Sequence, residues 1–288
     1  MPIIETTDSS DPRLDEYCNL NLRKQGQPAD TFVVEGAWLV ERLARSPFEL
    51  VSVLVGINQT TKALEIIEQH AGSDVAQRIP VYSLKTPKIS QLLGFQFHRG
   101  MMACARRQQM PPREALLEIP NGEDKSIVVV LPRIANETNL GGIMRIGAAF
   151  GVTGFLMSDR GGDPFSRRSM RLSMGCALSL PVRVSNQFSA DFEWLQSVGE
   201  TTMIASVVCD SDEQEAIHSR IAPARAVGDG LLSMSQRIGL VLGAEDYGIP
   251  QTLVDRCDHC VTIPMHGGTD SLNVSMAAGI LLHELRRT

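Results

Sequence analysis

Apolar positions along the chain fall into two alternating patterns. Short aliphatic runs recur at 31–34, 50–55 (LVSVLV), 81–84 and 101–105, and again at 127–131 (IVVVL), 154–157, 203–208, 238–242 (IGLVL) and 261–263. Consecutive apolar positions over such lengths predict strands buried on both faces. Between them lie stretches with helical spacing, at 38–44, 62–70, 140–150 and 272–287. The last has Asp270 or Ser271 as its expected N-cap and Arg286 and Arg287 at its end, where cations complement the helix dipole. Strand–helix alternation of this kind predicts an α/β fold with a parallel sheet covered on both faces.

The alternation is interrupted once. The segment QMPPREALLEIPNGEDK carries three prolines and a glycine and reads as a linker over 109–124, with room for one helical turn. It divides the 288 residues into a part over 12–108 and a part over 125–288, each of domain size. With 43% hydrophobic and 21% charged residues the chain is neither disordered nor collagen-like. Its uncharged runs are too short to span a bilayer. The N-terminal residues MPIIETTDSSDPR lack a basic start followed by an apolar run, so no secretory signal is read and a cytoplasmic location is expected.

The six cysteines, Cys18, Cys104, Cys176, Cys209, Cys257 and Cys260, are spread along the chain and are expected to be reduced. Cys257-Asp-His-Cys260 is compatible with half a zinc site, a redox pair or two plain thiols beside a strand. No second ligand pair stands at zinc-ribbon spacing, which favours plain thiols and no metal.

Net charge is −6, which taken alone argues against nucleic acid. Its distribution argues otherwise. Between Asp74 and Glu114 there is no acidic residue, while Arg78, Lys85, Lys88, Arg99, Arg106, Arg107 and Arg113 fall in that interval. A second acid-free stretch, from Phe165 to Ala190, holds Arg167, Arg168, Arg171 and Arg183. Each cluster could be a solvated face. Two of them in an acidic chain point to a phosphate-rich partner.

Several familiar chemistries are missing. Gly142 and Gly147 have phosphate-loop spacing, but Ala148 and Ala149 stand where a lysine and a hydroxyl residue are needed. No G-x-G-x-x-G follows the strand at 127–131, and no G-x-S-x-G exists. Three other segments combine loops with functional side chains. In NETNLGGIMRIGAAFG, Asn139 stands at an expected helix N-cap and Arg145 lies inside an otherwise apolar helix. In LVLGAEDYGIP, a buried strand runs into Gly243, Glu245 and Gly248, placing a carboxylate where α/β sheets bind ligands. In IPMHGGTDSLNVSMAAGILLHEL, a strand ends in a Gly-Gly loop, after which Ser271 and Asn273 enter a helix. The loop histidine His266 is given no catalytic role.

Together these three segments resemble the SpoU (TrmH-like) branch of the SPOUT superfamily of RNA 2'-O-ribose methyltransferases. The match lies at Asn139 and Arg145, at Gly243, Glu245 and Gly248, and at Ile263-Pro264-Met265 with Ser271-Leu272-Asn273. Asp163-Pro164-Phe165-Ser166 and Arg171-x-Ser173-x-Gly175 followed by Pro181 resemble the signature between them. Phe32-Val33-Val34-Glu35-Gly36 and His98-Arg99-Gly100 resemble the small ribosomal-protein-like RNA-binding domain that precedes many such catalytic domains. One departure is visible: Asn136 and Glu137 stand where the family often has Asp-Pro.

The resemblance implies an α/β fold whose C-terminal parallel-sheet domain, 125–288, carries a deep trefoil knot, preceded by an RNA substrate-binding domain at 12–108. It implies an S-adenosylmethionine pocket around Leu242, Gly243, Ile263, Met265 and Leu272. Methyl transfer to a ribose 2'-hydroxyl would use Arg145, either as the base or to orient the hydroxyl and phosphate while water takes the proton. Asn139 would hold Arg145 or the substrate, Glu245 would anchor that network, and Ser271 and Asn273 would complete the pocket. RNA would lie on Arg99, Arg106, Arg107, Arg167, Arg168 and Arg171. A homodimer is implied and no metal. Ribosomal RNA is the favoured substrate, with transfer RNA or a catalytically silent RNA-binding protein of the same fold as alternatives. A small-molecule oxidoreductase is disfavoured by the missing dinucleotide fingerprint.

Overall fold

A computed structural model of the protein describes residues 3–6, 11–18, 20, 30–119, 123–208, 221–232, 235–265 and 271–287. The chain forms two compact units. One comprises Met1–Gln109 together with Phe165–Ser179, the other Met110–Pro164 and Leu180–Thr288. Sequence placed residues 165–179 with the C-terminal part; by packing they belong to the first unit.

In the first unit the strands are β1 (Ile3–Glu5), β2 (Thr31–Glu35), β3 (Leu50–Gly56), β4 (Val81–Leu84) and β5 (Met101–Arg106), in the order β1-β4-β3-β5-β2. β5 runs antiparallel to both of its neighbours, and the remaining pairs are parallel. The sheet is therefore mixed. Its core gathers Leu14, Leu54, Leu84, Ile89 and Leu93, with Tyr17 fully buried and its hydroxyl 2.9 Å from Ser52 Oγ. Two helices left unread by periodicity complete it, Ser73–Arg78 and Thr86–Leu93, the second opened by Pro87 and closed by a left-handed Gly94. The helix Arg167–Leu172 is capped by Ser166 and tied to β2: Arg167 Nη1 donates to the buried Glu35 carboxylate at 2.9 Å.

The second unit is built on seven parallel strands: β6 (Ser126–Leu131), β7 (Gly154–Ser158), β8 (Val182–Ser185), β9 (Thr202–Ser206), β10 (Ile221–Pro223), β11 (Arg237–Val241) and β12 (His259–Thr262). Their order is β10-β12-β9-β11-β6-β7-β8. The chain lays down β6, β7 and β8 outward. It then places β9 beyond a gap next to β6, which β11 later fills, while β12 fills the gap between β10 and β9. All six residues of β6 are buried, as a strand covered on both faces requires.

The proline-rich stretch read as a linker is packed into this unit from Met110 onward. Leu116 and Leu117 are buried in its core, and Leu116 O accepts from Thr153 Oγ1 at 2.7 Å. Arg113 and Arg183 both donate to Asp191, which is 1% exposed. Cys257 and Cys260 lie in the same apolar cluster, each 2% exposed. Among the described residues no group of three or more His, Cys, Asp or Glu is arranged to hold a metal ion. Cys209, His266 and Asp270 lie outside the described residues.

Candidate functional site

Two helices set up the site. The helix Glu137–Ala149 follows β6, and the C-terminal helix Val274–Arg286 follows the loop after β12. They pack side by side and parallel. Asn139 meets Asn273, Gly142 meets Ser275, Ile146 meets Gly279, the Phe150 and His283 rings lie 6.1 Å apart, and Arg286 reaches the carbonyls of Phe150 and Gly151. Small residues permit this approach: a Cβ on Gly142 would lie 3.0 Å from Ser275 Cβ. Because the pair is parallel, both N-termini, with their unpaired N–H groups and positive dipole ends, come together at one end.

Capping differs from the sequence expectation at both helices. Asn136, not Asn139, caps the first: its Oδ1 accepts from Thr138 N at 2.9 Å. The residue that departs from the usual family pattern therefore performs a normal capping role, and Asn139 is released to lie inside the first turn, 6% exposed. The C-terminal helix is capped by Asn273, not by Asp270 or Ser271; Asn273 Oδ1 accepts from Ser275 N at 3.0 Å and from Ser275 Oγ at 2.6 Å.

Asn273 does more than cap. Its Nδ2 donates to Asn139 Oδ1 at 3.0 Å and to Glu245 Oε1 at 2.9 Å. One amide thus uses both protons and both lone pairs, and joins the three segments singled out from sequence. Glu245 comes from a tight turn after β11. Ala244 and Gly248 exchange backbone hydrogen bonds of 3.2 and 2.8 Å, and Gly248 sits at φ +62°. Gly243 has no room for a side chain, because a Cβ there would lie 2.3 Å from the Gly248 carbonyl carbon. The turn presents Tyr247, 76% exposed, with the Arg133 guanidinium 5.4 Å from its ring centre. Sequence reading missed Asn136, Ser275 and the Arg133–Tyr247 pair. An asparagine followed by an acidic residue at a strand end was the available signal for the cap.

Sheet register places the proposed cofactor loops at one end. Val241 pairs with Ala205 of β9, and Val261 with Ser206. Leu242-Gly243 and Ile263 therefore leave the carboxyl ends of strands two positions apart, roughly 10 Å at the usual strand spacing. Leu242 is fully buried, and Ile263, Met265 and Leu272 are half-buried.

Residues 126–283 match the SpoU rRNA Methylase family. The chain belongs to that family. A protein of Mycobacterium bovis named as an uncharacterized tRNA/rRNA methyltransferase is 28% identical over 100% of this chain and 93% of its own length. The 23S rRNA (guanosine-2'-O-)-methyltransferase RlmB of Coxiella burnetii is 28% identical over 85% of this chain and 90% of its own. Among solved structures, an AdoMet-bound rRNA methyltransferase from Sinorhizobium meliloti superposes with a TM-score of 0.78 over 99% of this chain and 98% of that one, at 22% identity. That likeness is one of fold.

The other residues named from sequence are placed as follows. Arg145 is exposed, six residues beyond Asn139, and among the described residues it has no hydrogen-bond or ion-pair partner. Ser271 is exposed and outside the Asn139–Asn273–Glu245 cluster. Of the arginines, Arg106 pairs with Glu49 at 3.1 Å, Arg107 lies over the Phe165 ring, and Arg167 binds Glu35 and stacks 3.9 Å from the centre of the Phe95 ring. Arg99 is half-exposed, 3.9 Å from Glu35. Arg168 and Arg171 are exposed and have no partner among the described residues.

Proposed function

We propose that this protein transfers a methyl group from S-adenosylmethionine to a ribose 2'-hydroxyl of RNA, with ribosomal RNA as the substrate. The observation that carries the reading is the hydrogen-bonded set Asn139–Asn273–Glu245, assembled from three distant segments at the carboxyl ends of parallel strands. The name of the Coxiella burnetii relative, a 23S rRNA 2'-O-methyltransferase, favours the same chemistry and the ribosomal substrate.

The loops fit the cofactor in character. Ile263, Met265 and Leu272, each half-buried, offer apolar contact for an adenosine, Leu242 being fully buried, while Glu245 and Asn273 supply polar groups. When bound, S-adenosylmethionine supplies an electrophilic methyl group. The chain must supply an oriented, deprotonated hydroxyl. Asn273 fixes Glu245 and Asn139 through one oxygen each, so Glu245 Oε2 and Asn139 Nδ2 are left as acceptor and donor for ribose hydroxyls. Arg145 has no competing partner among the described residues, which suits a guanidinium that binds the substrate phosphate and orients the hydroxyl, or takes its proton. The late insertion of β11 between β6 and β9 supports the knotted topology expected of the family. A homodimer is supported by the exposed Met276 and Ile280, 60% and 38% exposed, one turn apart on the C-terminal helix.

The test is transfer of labelled methyl from S-adenosylmethionine to ribosomal RNA from cells lacking this protein, with the product mapped at nucleotide resolution. Arg145→Ala is expected to lose transfer while keeping cofactor affinity within a few-fold. Activity above roughly a tenth of wild type, under about 1.4 kcal/mol in barrier, would remove Arg145 from the mechanism. Transfer to a base atom instead of a ribose would overturn the 2'-O assignment.

A further inference from the structure

We propose that Trp38, in the first unit, is a stacking platform for an unpaired base of the RNA, with Arg99 and Arg171 holding the flanking phosphates. The inference rests on the RNA reading above and assigns a site the methyl-transfer chemistry does not use. Trp38 stands just inside the helix Ala37–Ala44 and is 46% exposed, unusual for the largest apolar side chain on a surface. It lines two neighbouring hollows of the same unit, of about 270 and 460 Å³.

The hollows differ in charge. In the larger one the cations are already engaged. Arg42 lies 5.1 Å from the Trp38 ring centre and donates to Met174 O and Ser179 Oγ, and Arg45 is bound to Glu41 and His70. Arg42 thus backs the indole ring from that side. The smaller hollow is walled by Trp38, Gly36, Met174, Arg99 and Arg171. Its single carboxylate, Glu35, is 5% exposed and neutralised by Arg167 at 2.9 Å. Arg171 has no partner among the described residues, and Arg99 keeps half of its side chain in solvent. An aromatic face flanked by one guanidinium without a partner among the described residues, Arg171, and a second, Arg99, half in solvent and only 3.9 Å from Glu35, matches the two needs of a single-stranded nucleotide, a surface for the base and cations for the backbone. Arg171 comes from the segment 165–179 that packs in this unit, so one arginine from each of the two basic stretches, Arg99 and Arg171, lines the same hollow.

The 288 residues contain two tryptophans, Trp38 and Trp194, so Trp194→Phe leaves Trp38 as the reporter. Titration with a short single-stranded oligoadenylate is expected to quench its fluorescence saturably. Trp38→Ala should weaken binding by about fivefold or more, the usual loss for one stacked base, with Trp38→Phe in between. Arg99→Gln with Arg171→Gln should flatten the log–log salt dependence by up to about 1.4 units, about 0.7 per phosphate contact on a single strand. No quenching in the Trp194→Phe protein, or oligonucleotide binding unchanged by Trp38→Ala, overturns the proposal. A change of sedimentation in Trp38→Ala with RNA binding intact also overturns it, because the ring then faces protein. Methyl transfer is followed in the same preparations. Quenching without transfer to any RNA fails the methyltransferase reading and leaves this one standing; transfer without quenching does the reverse.

Discussion

Replacing Asn273 tests the joint on which the site depends. Three contributions are lost in Asn273→Ala. The first is the helix cap, whose Oδ1 accepts from Ser275 N; a missing Asn cap costs about 1 kcal/mol. The second is the donor to Asn139 Oδ1. Asn139 is 6% exposed, so its carbonyl is left without a partner away from water, at about 1–2 kcal/mol. The third is the bond to Glu245, which lies at an exposed turn where water replaces it for well under about 1 kcal/mol. The sum is about 2–3 kcal/mol. For a unit of this size that lowers the melting temperature by roughly 5–10 °C, at 2–4 °C per kcal/mol.

Asn273→Asp separates the contributions. An aspartate caps as well as asparagine, and Asn139 can turn its amide to donate to it, so most of the stability should return. The bond to Glu245 cannot return, because two carboxylates would face each other. Calorimetry of both variants beside a methyl-transfer assay reads the difference. Asn273→Ala should lose both stability and activity, and Asn273→Asp mainly activity. An Asn273→Ala protein melting within about 2 °C of wild type, less than the cap alone should cost, would show that the hydrogen bonds joining the three segments carry no weight.

Other expectations follow from single contacts. Gly243→Ala should abolish transfer, because its Cβ would meet the backbone of Gly248 and Ile249 at 2.3 and 2.5 Å; Gly248→Ala, with open space but φ +62°, should cost only about 1–2 kcal/mol and retain activity. Asp191→Asn should destabilise by about 2–3 kcal/mol at neutral pH, below the range for a fully buried pair because the Arg113 and Arg183 side chains remain 30% and 15% exposed. Burial pushes the Asp191 carboxyl up, but hydrogen bonds from Arg183, Ser185 and Arg113 and the Arg183 charge outweigh it and hold it below its ordinary range. Its contribution is therefore complete above the ordinary carboxylate value near 4 and is lost as pH falls through the lower folded value, so denaturant curves of wild type and Asp191→Asn should converge only in acid. Met276→Glu with Ile280→Glu should dissociate the proposed dimer in analytical ultracentrifugation; an unchanged sedimentation coefficient would move the interface elsewhere.

What was legible in the sequence follows from how local each signal is. The strands over 127–131 and 238–242 and the helix beginning near 140 are set by apolar runs that have only one way to be buried, and the structure has them within a residue or two at most ends. Three-residue strands such as β1 and β10 carry no such signal; neighbours in the sheet define them. The helix Arg167–Leu172 was read as positive charge and as part of a family signature but not as a helix, since six residues with one arginine bound to a distant glutamate have no periodicity to detect.

The candidate site shows the same division more sharply. Asn139, Glu245 and Asn273 could be picked out because each stands at a strand–loop–helix junction, but their roles could not. An asparagine before an apolar run reads as a cap, and only one of these two is. The choice is made by the register between the helices Glu137–Ala149 and Val274–Arg286, which sequence does not contain: Gly142 against Ser275 and Ile146 against Gly279 slide the two helices until Asn139 lies beside Asn273. Asn136 must then cap the first helix so that Asn139 is left free to bond across. The small residue at 142 is therefore part of the site although it bears no functional group, whereas a Cβ at Gly279 would lie 3.7 Å from Ile146, an ordinary contact. A bulkier residue at Gly142 would push the helices apart by its contact with Ser275, and the bridge from Asn273 to Asn139 would break before any residue of that bridge had been changed.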